Sequence, residues 1–210
     1  MMRIDSLKTT PDRAGRYWLS LEDGTKMALY RQTVEDFALY AGMELSDEVL
    51  ENLREAAGAM SAKMRAVRIV TASSVSKKDL QQRLVQKGED PKQASEAVAW
   101  MEQMHLVDDA ETARQIVSRC ASRGYGINRA KQMLYEKKIP KFYWDEALTD
   151  FPNQTPVILA FLRTRLNGND DPKEVKKAID ALMRRGHIYS EIRSALGCMS
   201  VETDEFPEET

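Results

Sequence analysis

Apolar positions follow two different periods along this chain. Near the start, Tyr17-Trp18-Leu19-Ser20-Leu21 and Lys26-Met27-Ala28-Leu29-Tyr30 flank Glu22-Asp23-Gly24-Thr25. Asp-Gly between two such runs predicts a β-hairpin, because glycine takes the positive φ of the tight turn. Leu7 to Thr9 suggest a third strand, and Val34, Phe37, Ala38 and Tyr40 a short helix ending at Gly42. From Ser46 onward the spacing becomes helical. Leu50, Leu53, Ala57, Met60, Met64 and Val67 follow one another at intervals of three and four, which predicts one long helix reaching about Val70. That stripe suits a coiled-coil dimer or, the preferred reading, a helix laid on its own domain.

Beyond it the helical pattern comes in blocks. Ile116, Val117 and Cys120, then Ala130, Met133 and Leu134, then Trp144, Ala147, Leu148 and Phe151 predict three short helices, broken at Gly124-Tyr125-Gly126 and at Ile139-Pro140. This block has counterparts on either side. Aligned on Leu84, Leu134 and Leu182, the chain places Leu80, Ala130 and Ala178 four residues earlier. It places Ala97, Ala147 and Ala195, followed by Val98, Leu148 and Leu196, at a common later offset. A period near fifty residues with breakers in register signals stacked helical units. Ser76, Asp90 before Pro91, Thr155 before Pro156, and Asp171 before Pro172 supply helix starts. Ala94, Ala97, Val98, Met101 and Met104 form one inner face, and Ile158, Leu159 and Leu162 another.

The expected fold is therefore mainly α: three tandem three-helix repeats in an elongated array, preceded by a small β-hairpin-containing N-terminal segment. The expected boundaries are 1–45 for the hairpin cap, 46–106 for the long helix with the first repeat, 107–152 for the second and 153–199 for the third. Residues 200–210, acidic and short of anchors, are expected to be a disordered tail. The cap is too small for a core of its own and should pack on the helices.

Composition narrows the class. Among 210 residues, 30% are charged and no apolar run approaches a membrane span, so a soluble protein is expected. The N-terminus lacks the apolar core of a signal peptide, and Cys120 and Cys198 form neither a disulfide framework nor a metal spacing. These features lead us to expect a cytoplasmic monomer without cofactors. The net charge of −2 hides an asymmetry: residues 61–141 carry 16 Lys and Arg against 9 Asp and Glu. A basic centre suits nucleic acid or an acidic protein surface, and equally a solvated helical face. The candidate contact residues are Lys87, Arg119, Arg123, Tyr125, Arg129, Lys131, Lys137 and Lys138. Tyr125 could stack on a partner or simply cover the joint between repeats. His105 and His187 lack ligand-spaced neighbours, no Ser, Cys or Lys has a visible activating partner, and Gly124-Tyr125-Gly126 is too short for a phosphate loop. No enzyme is expected.

Several stretches resemble the RecX family of bacterial recombinase regulators. They are Asp108-Asp109 with Ala113, Arg119 through Arg123-Gly124-Tyr125-Gly126, and Leu134 with Lys137-Lys138-Ile139 and Ala147-Leu148. Leu182 to Gly186 with Ile192 and Leu196 continue the likeness, while the N-terminal hairpin and Gly42-Met43-Glu44-Leu45 resemble the Gram-positive branch. The resemblance covers nearly the whole chain. It implies a non-enzymatic modulator that binds the RecA recombinase filament on single-stranded DNA and represses strand exchange and the linked ATPase and co-protease activities. Some members of the family bind single- or double-stranded DNA themselves. The chain departs from the family pattern at Ser73 to Ser76, where two arginines around a serine are usual, at Lys138, usually glycine, and at Thr112, usually aromatic. The rival reading is an independent nucleic-acid-binding regulator with helix-turn-helix-like units.

Overall fold

The computed structural model describes residues 1–199, so the tail expected over 200–210 lies outside the described residues. Up to Leu45 the chain builds one antiparallel sheet. β1 (Met2–Leu7), β2 (Arg16–Leu21), β3 (Lys26–Tyr30) and β4 (Glu44–Leu45) stand in the order β3-β2-β1-β4. The Asp23-Gly24 turn joins β2 to β3 as expected, with Ser20 opposite Lys26 and Gly24 at φ +84°. Two details differ from the sequence reading. The additional strand is Met2–Leu7 rather than Leu7–Thr9, because Ile4 pairs with Leu21 and is fully buried. The short helix α1 runs only from Arg31 to Asp36, and Ala38 at φ +47° turns the chain before Gly42.

Helix α2 (Asp47–Ala72) begins at Ser46, whose hydroxyl accepts from the Val49 N–H. It serves two cores in turn. Its first half presents Leu50, Leu53 and Ala57 to Ile4, Leu19, Leu21, Leu29 and Leu45 of the sheet. Its second half presents Ala62 and Ala66 to Leu80 and Leu84 of α3 (Lys77–Gln86) and to Ala94, Ala97, Val98 and Met101 of α4 (Pro91–Gln103). The expected stripe through Met60 and Met64 is thus only half-buried, since the helix changes the face it covers where one core gives way to the next. The helix lies on its own domain, as preferred above. Arg68 ties its last turns to the sheet region, with Nη2 donating to the Ala14 carbonyl (2.8 Å) and the Tyr30 hydroxyl (3.1 Å). Met104, expected on the inner face, is 56% exposed because α4 ends at Gln103 and His105 reverses the chain at φ +54°. These elements form one compact unit, Met1–Asp108.

The second unit, Asp109–Thr210, is helical in its described part. Helices α5 (Asp109–Ser122), α6 (Ile127–Glu136) and α7 (Trp144–Leu148, preceded by a 3-10 turn over Lys141–Tyr143) enclose Ala113, Ile116, Val117, Cys120, Ala130 and Leu134. Helices α8 (Thr155–Leu166), α9 (Pro172–Arg184) and α10 (Tyr189–Cys198) enclose Ile158, Leu162, Val175, Ala178, Leu182, Ile192 and Ala195. Trp144 is a packing residue whose indole N–H donates to the Ile139 carbonyl (3.0 Å).

The sequence repeat corresponds to one backbone device. The second helix of each repeat ends with its aligned, fully buried leucine accepting from the N–H five residues later: Glu89 to Leu84 (3.1 Å), Ile139 to Leu134 (3.0 Å) and His187 to Leu182 (3.2 Å). A second bond runs from the residue before that donor: Gly88 to Val85, Lys138 to Tyr135 and Gly186 to Met183. This pairing demands a left-handed residue after the cap. Gly88 (φ +91°) and Gly186 (φ +86°) supply it freely, whereas Lys138 (φ +57°) does so against the clash of its own Cβ. Lys138→Gly should therefore raise the stability of the protein by about 0.5–1 kcal/mol in urea unfolding. An unchanged or lower midpoint would show that the lysine side chain is worth more than the strain it causes.

Candidate functional site

Within the second unit the loop after α5 meets the loop after α9 at very close range. Gly126 N–H donates to the Arg185 carbonyl and Asn128 N–H to the Gly186 carbonyl, both at 3.0 Å. Helix α6 has no side chain capping its N-terminus; its spare donors take the spare acceptors at the end of α9 instead. The approach leaves no room for a Cβ on either glycine: one on Gly126 would overlap the Gly186 carbonyl, and one on Gly186 would overlap the Arg129 backbone. The Gly124-Tyr125-Gly126 joint is thus a packing requirement, with Gly124 left-handed at φ +67°.

Around this joint the structure gathers part of the expected basic set. Arg119 near the end of α5 and Arg123 just beyond it are exposed, and neither makes an ion pair among the described residues. Arg129, on the first turn of α6, is half-buried against Gly186 and pairs with Glu136 at 3.5 Å. All three guanidiniums act on the buried Cys120 thiol: burial pushes its pKa up, while Arg129, Arg123 and Arg119 pull against that shift. These three arginines therefore share one end of the α5–α6 pair. Tyr125 packs against the core of the same helices. Lys131 is exposed and lies on the other side of the buried Ala130–Leu134 stripe from Arg129. Lys137 caps α6 and Lys138 is the left-handed residue after it; both are half-buried. Lys87 holds the corresponding cap position on α3, in the first unit, and is exposed.

The period contains a further signal that the basic-residue reading missed. The residue following each aligned leucine is a large apolar side chain in solvent: Val85 is 40% exposed, Tyr135 72% and Met183 45%. Two residues on stands a cation at the helix cap, namely Lys87, Lys137 or Arg185. Each repeat thus carries one exposed apolar side chain and, at the helix cap two residues later, a cation. Phe142, 73% exposed and tilted against Tyr143 with ring centroids 4.1 Å apart, is a further exposed apolar side chain of the middle repeat. Among the described residues no cluster of three His, Cys, Asp or Glu side chains could hold a metal, and no helix is long and apolar enough to cross a membrane.

Several known proteins are similar to this chain in sequence or in architecture. Regulatory protein RecX of Clostridioides difficile strain 630 is 26% identical over 200 residues, covering 92% of each chain. Regulatory protein RecX of Streptococcus gordonii is 24% identical over 193 residues, spanning 90% of this chain and 75% of its own. Among solved structures, a crystal structure of regulatory protein RecX superposes with a TM-score of 0.65 at 20% identity, covering 92% of this chain and all of its own. RecX from Lactobacillus salivarius superposes at 0.61 with 15% identity over 69% of this chain. These two show a common fold. No protein-family model matches the chain.

His187 offers a test of the joint. It is 1% exposed, its Nε2 lies 3.2 Å from the Gly124 carbonyl and its Nδ1 has no partner among the described residues. Burial lowers its pKa, with Arg185 adding to the shift and the Gly124 carbonyl and Glu191 opposing it. An unfolded histidine takes its proton near pH 6.5, at about its usual value, whereas the folded one takes it only at lower pH. Stability should thus be complete above about pH 6.5 and fall as the pH drops toward about 5, before the carboxylates titrate. In His187→Gln the loss between pH 7.5 and 5.5, followed by urea unfolding, should be visibly smaller; an equal loss would place the sensitivity elsewhere.

Proposed function

We propose that this chain is a RecX-family protein, a non-enzymatic regulator of the RecA recombinase that binds the recombinase filament on single-stranded DNA. The observation that carries this reading is the likeness to regulatory RecX proteins over nine-tenths of the chain. In this reading the protein acts in the cytoplasm as a monomer and restrains strand exchange, ATP hydrolysis and co-protease activity during recombination, repair and the SOS response.

Its mechanism is occupancy. The repeats over 46–106, 107–152 and 153–199 are the working modules, each offering the apolar side chain and cap cation described above. Such surfaces suit a partner that is itself repetitive, since each module can meet one equivalent patch. Arg119, Arg123 and Arg129 at one end of the middle repeat, with Lys131, Lys137 and Lys138 on α6 and its cap, supply positive charge toward acidic recombinase surface or DNA phosphates. Tyr125 contributes by holding the joint that positions them. A second reading, an independent nucleic-acid-binding regulator, rests on the same cations and requires no recombinase.

RecA-driven ATP hydrolysis on single-stranded DNA, titrated with the protein, separates the two. Inhibition below one protein per recombinase is expected. Arg119→Glu with Arg123→Glu should weaken it about tenfold or more, as should Tyr135→Ala with Met183→Ala, since exposed aromatic and cationic contacts of this kind are each worth roughly 1–2 kcal/mol. Absence of inhibition, together with sequence-dependent duplex binding, would favour the independent regulator.

A further inference from the structure

In the first unit, the last turns of α2 and the second half of α3 enclose an open cleft of about 430 Å³. Four cations line it, Arg65, Arg68, Arg83 and Lys87, together with Ser73 and an apolar wall that includes Ile69. Of these four only Lys87 stands among the candidate contact residues of the sequence; the three arginines join it through packing, since the turn between the helices, Ser73 to Ser76, carries no basic residue of its own.

Three of the four are fixed before any ligand arrives. Arg65 Nε lies 2.7 Å from the carboxylate of Glu89, which is 7% exposed and also accepts from the Ser61 hydroxyl (3.0 Å). Arg65 Nη1 donates to the Lys87 carbonyl (2.7 Å). Arg83 Nη2 lies 2.8 Å from the carboxylate of Asp79, which is 8% exposed. Arg68 is held by its bonds to Ala14 and Tyr30. The entropy of ordering three long side chains is therefore already spent in folding. Two carboxylates against four cations leave a surplus of two positive charges. Among the described residues the Lys87 ammonium has no ion pair or hydrogen bond, and the Arg65 and Arg83 guanidiniums have none beyond those just given. The polar lining is thus almost entirely donors, suited to a ligand made of acceptors, and guanidinium forks match phosphate oxygens. No aromatic ring lines the cleft, so nothing in it can stack on a base.

We propose that this cleft binds the phosphodiester backbone of a single-stranded nucleic acid without reading its bases. The assignment deepens the DNA-contacting part of the function above and rests on it. The cleft is open to solvent rather than closed, so it can hold one phosphate of a longer strand.

The two guanidiniums paired with buried carboxylates are poor targets for mutation, because removing either leaves a buried charge uncompensated. Lys87→Glu and Ser73→Glu instead lower the local charge, by two units and by one, while leaving both ion pairs intact. Fluorescence anisotropy of a labelled oligothymidylate with the full chain should show each variant binding about tenfold more weakly, with unchanged thermal unfolding. The slope of log affinity against log salt should also fall by about 0.7 for each phosphate that a variant no longer neutralises. Wild-type affinity and slope in both variants, or no binding by the wild-type chain, would overturn the proposal. Inorganic phosphate should displace the strand no better than chloride at equal ionic strength; specific displacement would make free phosphate the ligand and overturn the strand assignment. Recombinase ATPase assays on the same proteins separate this claim from the wider one. A wild-type chain that fails to inhibit, yet loses oligonucleotide binding in Lys87→Glu, would sink the recombinase reading and leave the cleft standing. Full inhibition with unaltered oligonucleotide binding in both variants would do the reverse.

Discussion

Helix ends carry unpaired backbone groups that must be satisfied, and the second unit solves this by joining two ends to each other. The start of α6 has no capping side chain, and its Gly126 and Asn128 donors find the Arg185 and Gly186 carbonyls at the end of α9. The positive end of one helix dipole thereby meets the negative end of another. Such an exchange needs the two backbones in direct contact, which only glycine permits at positions 126 and 186. His187, Gly124 and Arg129 are placed by this arrangement, and with them the cluster of cations at the end of α5 and α6.

In the first unit the corresponding constraint is a single helix that must satisfy two cores. Helix α2 covers the sheet with leucines and then turns alanines to α3 and α4, where small side chains allow the helices to come close. A small sheet that could not fold alone is stabilised in this way by the same element that begins the helical repeats. The arginines on the later turns of α2 divide between two tasks: Arg68 grips the sheet region, and Arg65 neutralises the buried Glu89. These structural bonds also hold the guanidiniums near Lys87, so interactions that stabilise the fold line a basic cleft.

In the proposed function, the contacting side chains stand at helix ends. Each repeat buries its leucine, exposes the next side chain and sets a cation at the cap, because the chain reversal after the helix dictates which side chains can turn inward. Binding chemistry of this kind is repetitive and distributed, which accords with a regulator that works by occupying a surface.

Much of this was legible in the residues themselves. The Asp23-Gly24 hairpin, the caps at Ser46, Ser76, Asp90 and Asp171, and the fifty-residue period follow from local backbone preferences and from burial on one helical face, which depend on nearby positions alone. The strand at Met2–Leu7 was not legible, because its pairing with both β2 and β4 is a long-range choice that no local pattern records. Nor was the change of buried face along α2, since a stripe of Met60 and Met64 looks continuous until two separate cores are seen to compete for it. The basic residues could be counted from the sequence, but their roles could not. Arg65 and Arg83 are each committed to a buried carboxylate, Arg129 is pressed against a glycine fifty-seven residues away, and Arg119 and Arg123 are left exposed. Local propensity and periodicity determine which helices form and which face each of them buries. Only tertiary packing decides which charges are spent inside the fold and which remain for a partner, because ion pairing and desolvation depend on distances between segments far apart in the chain.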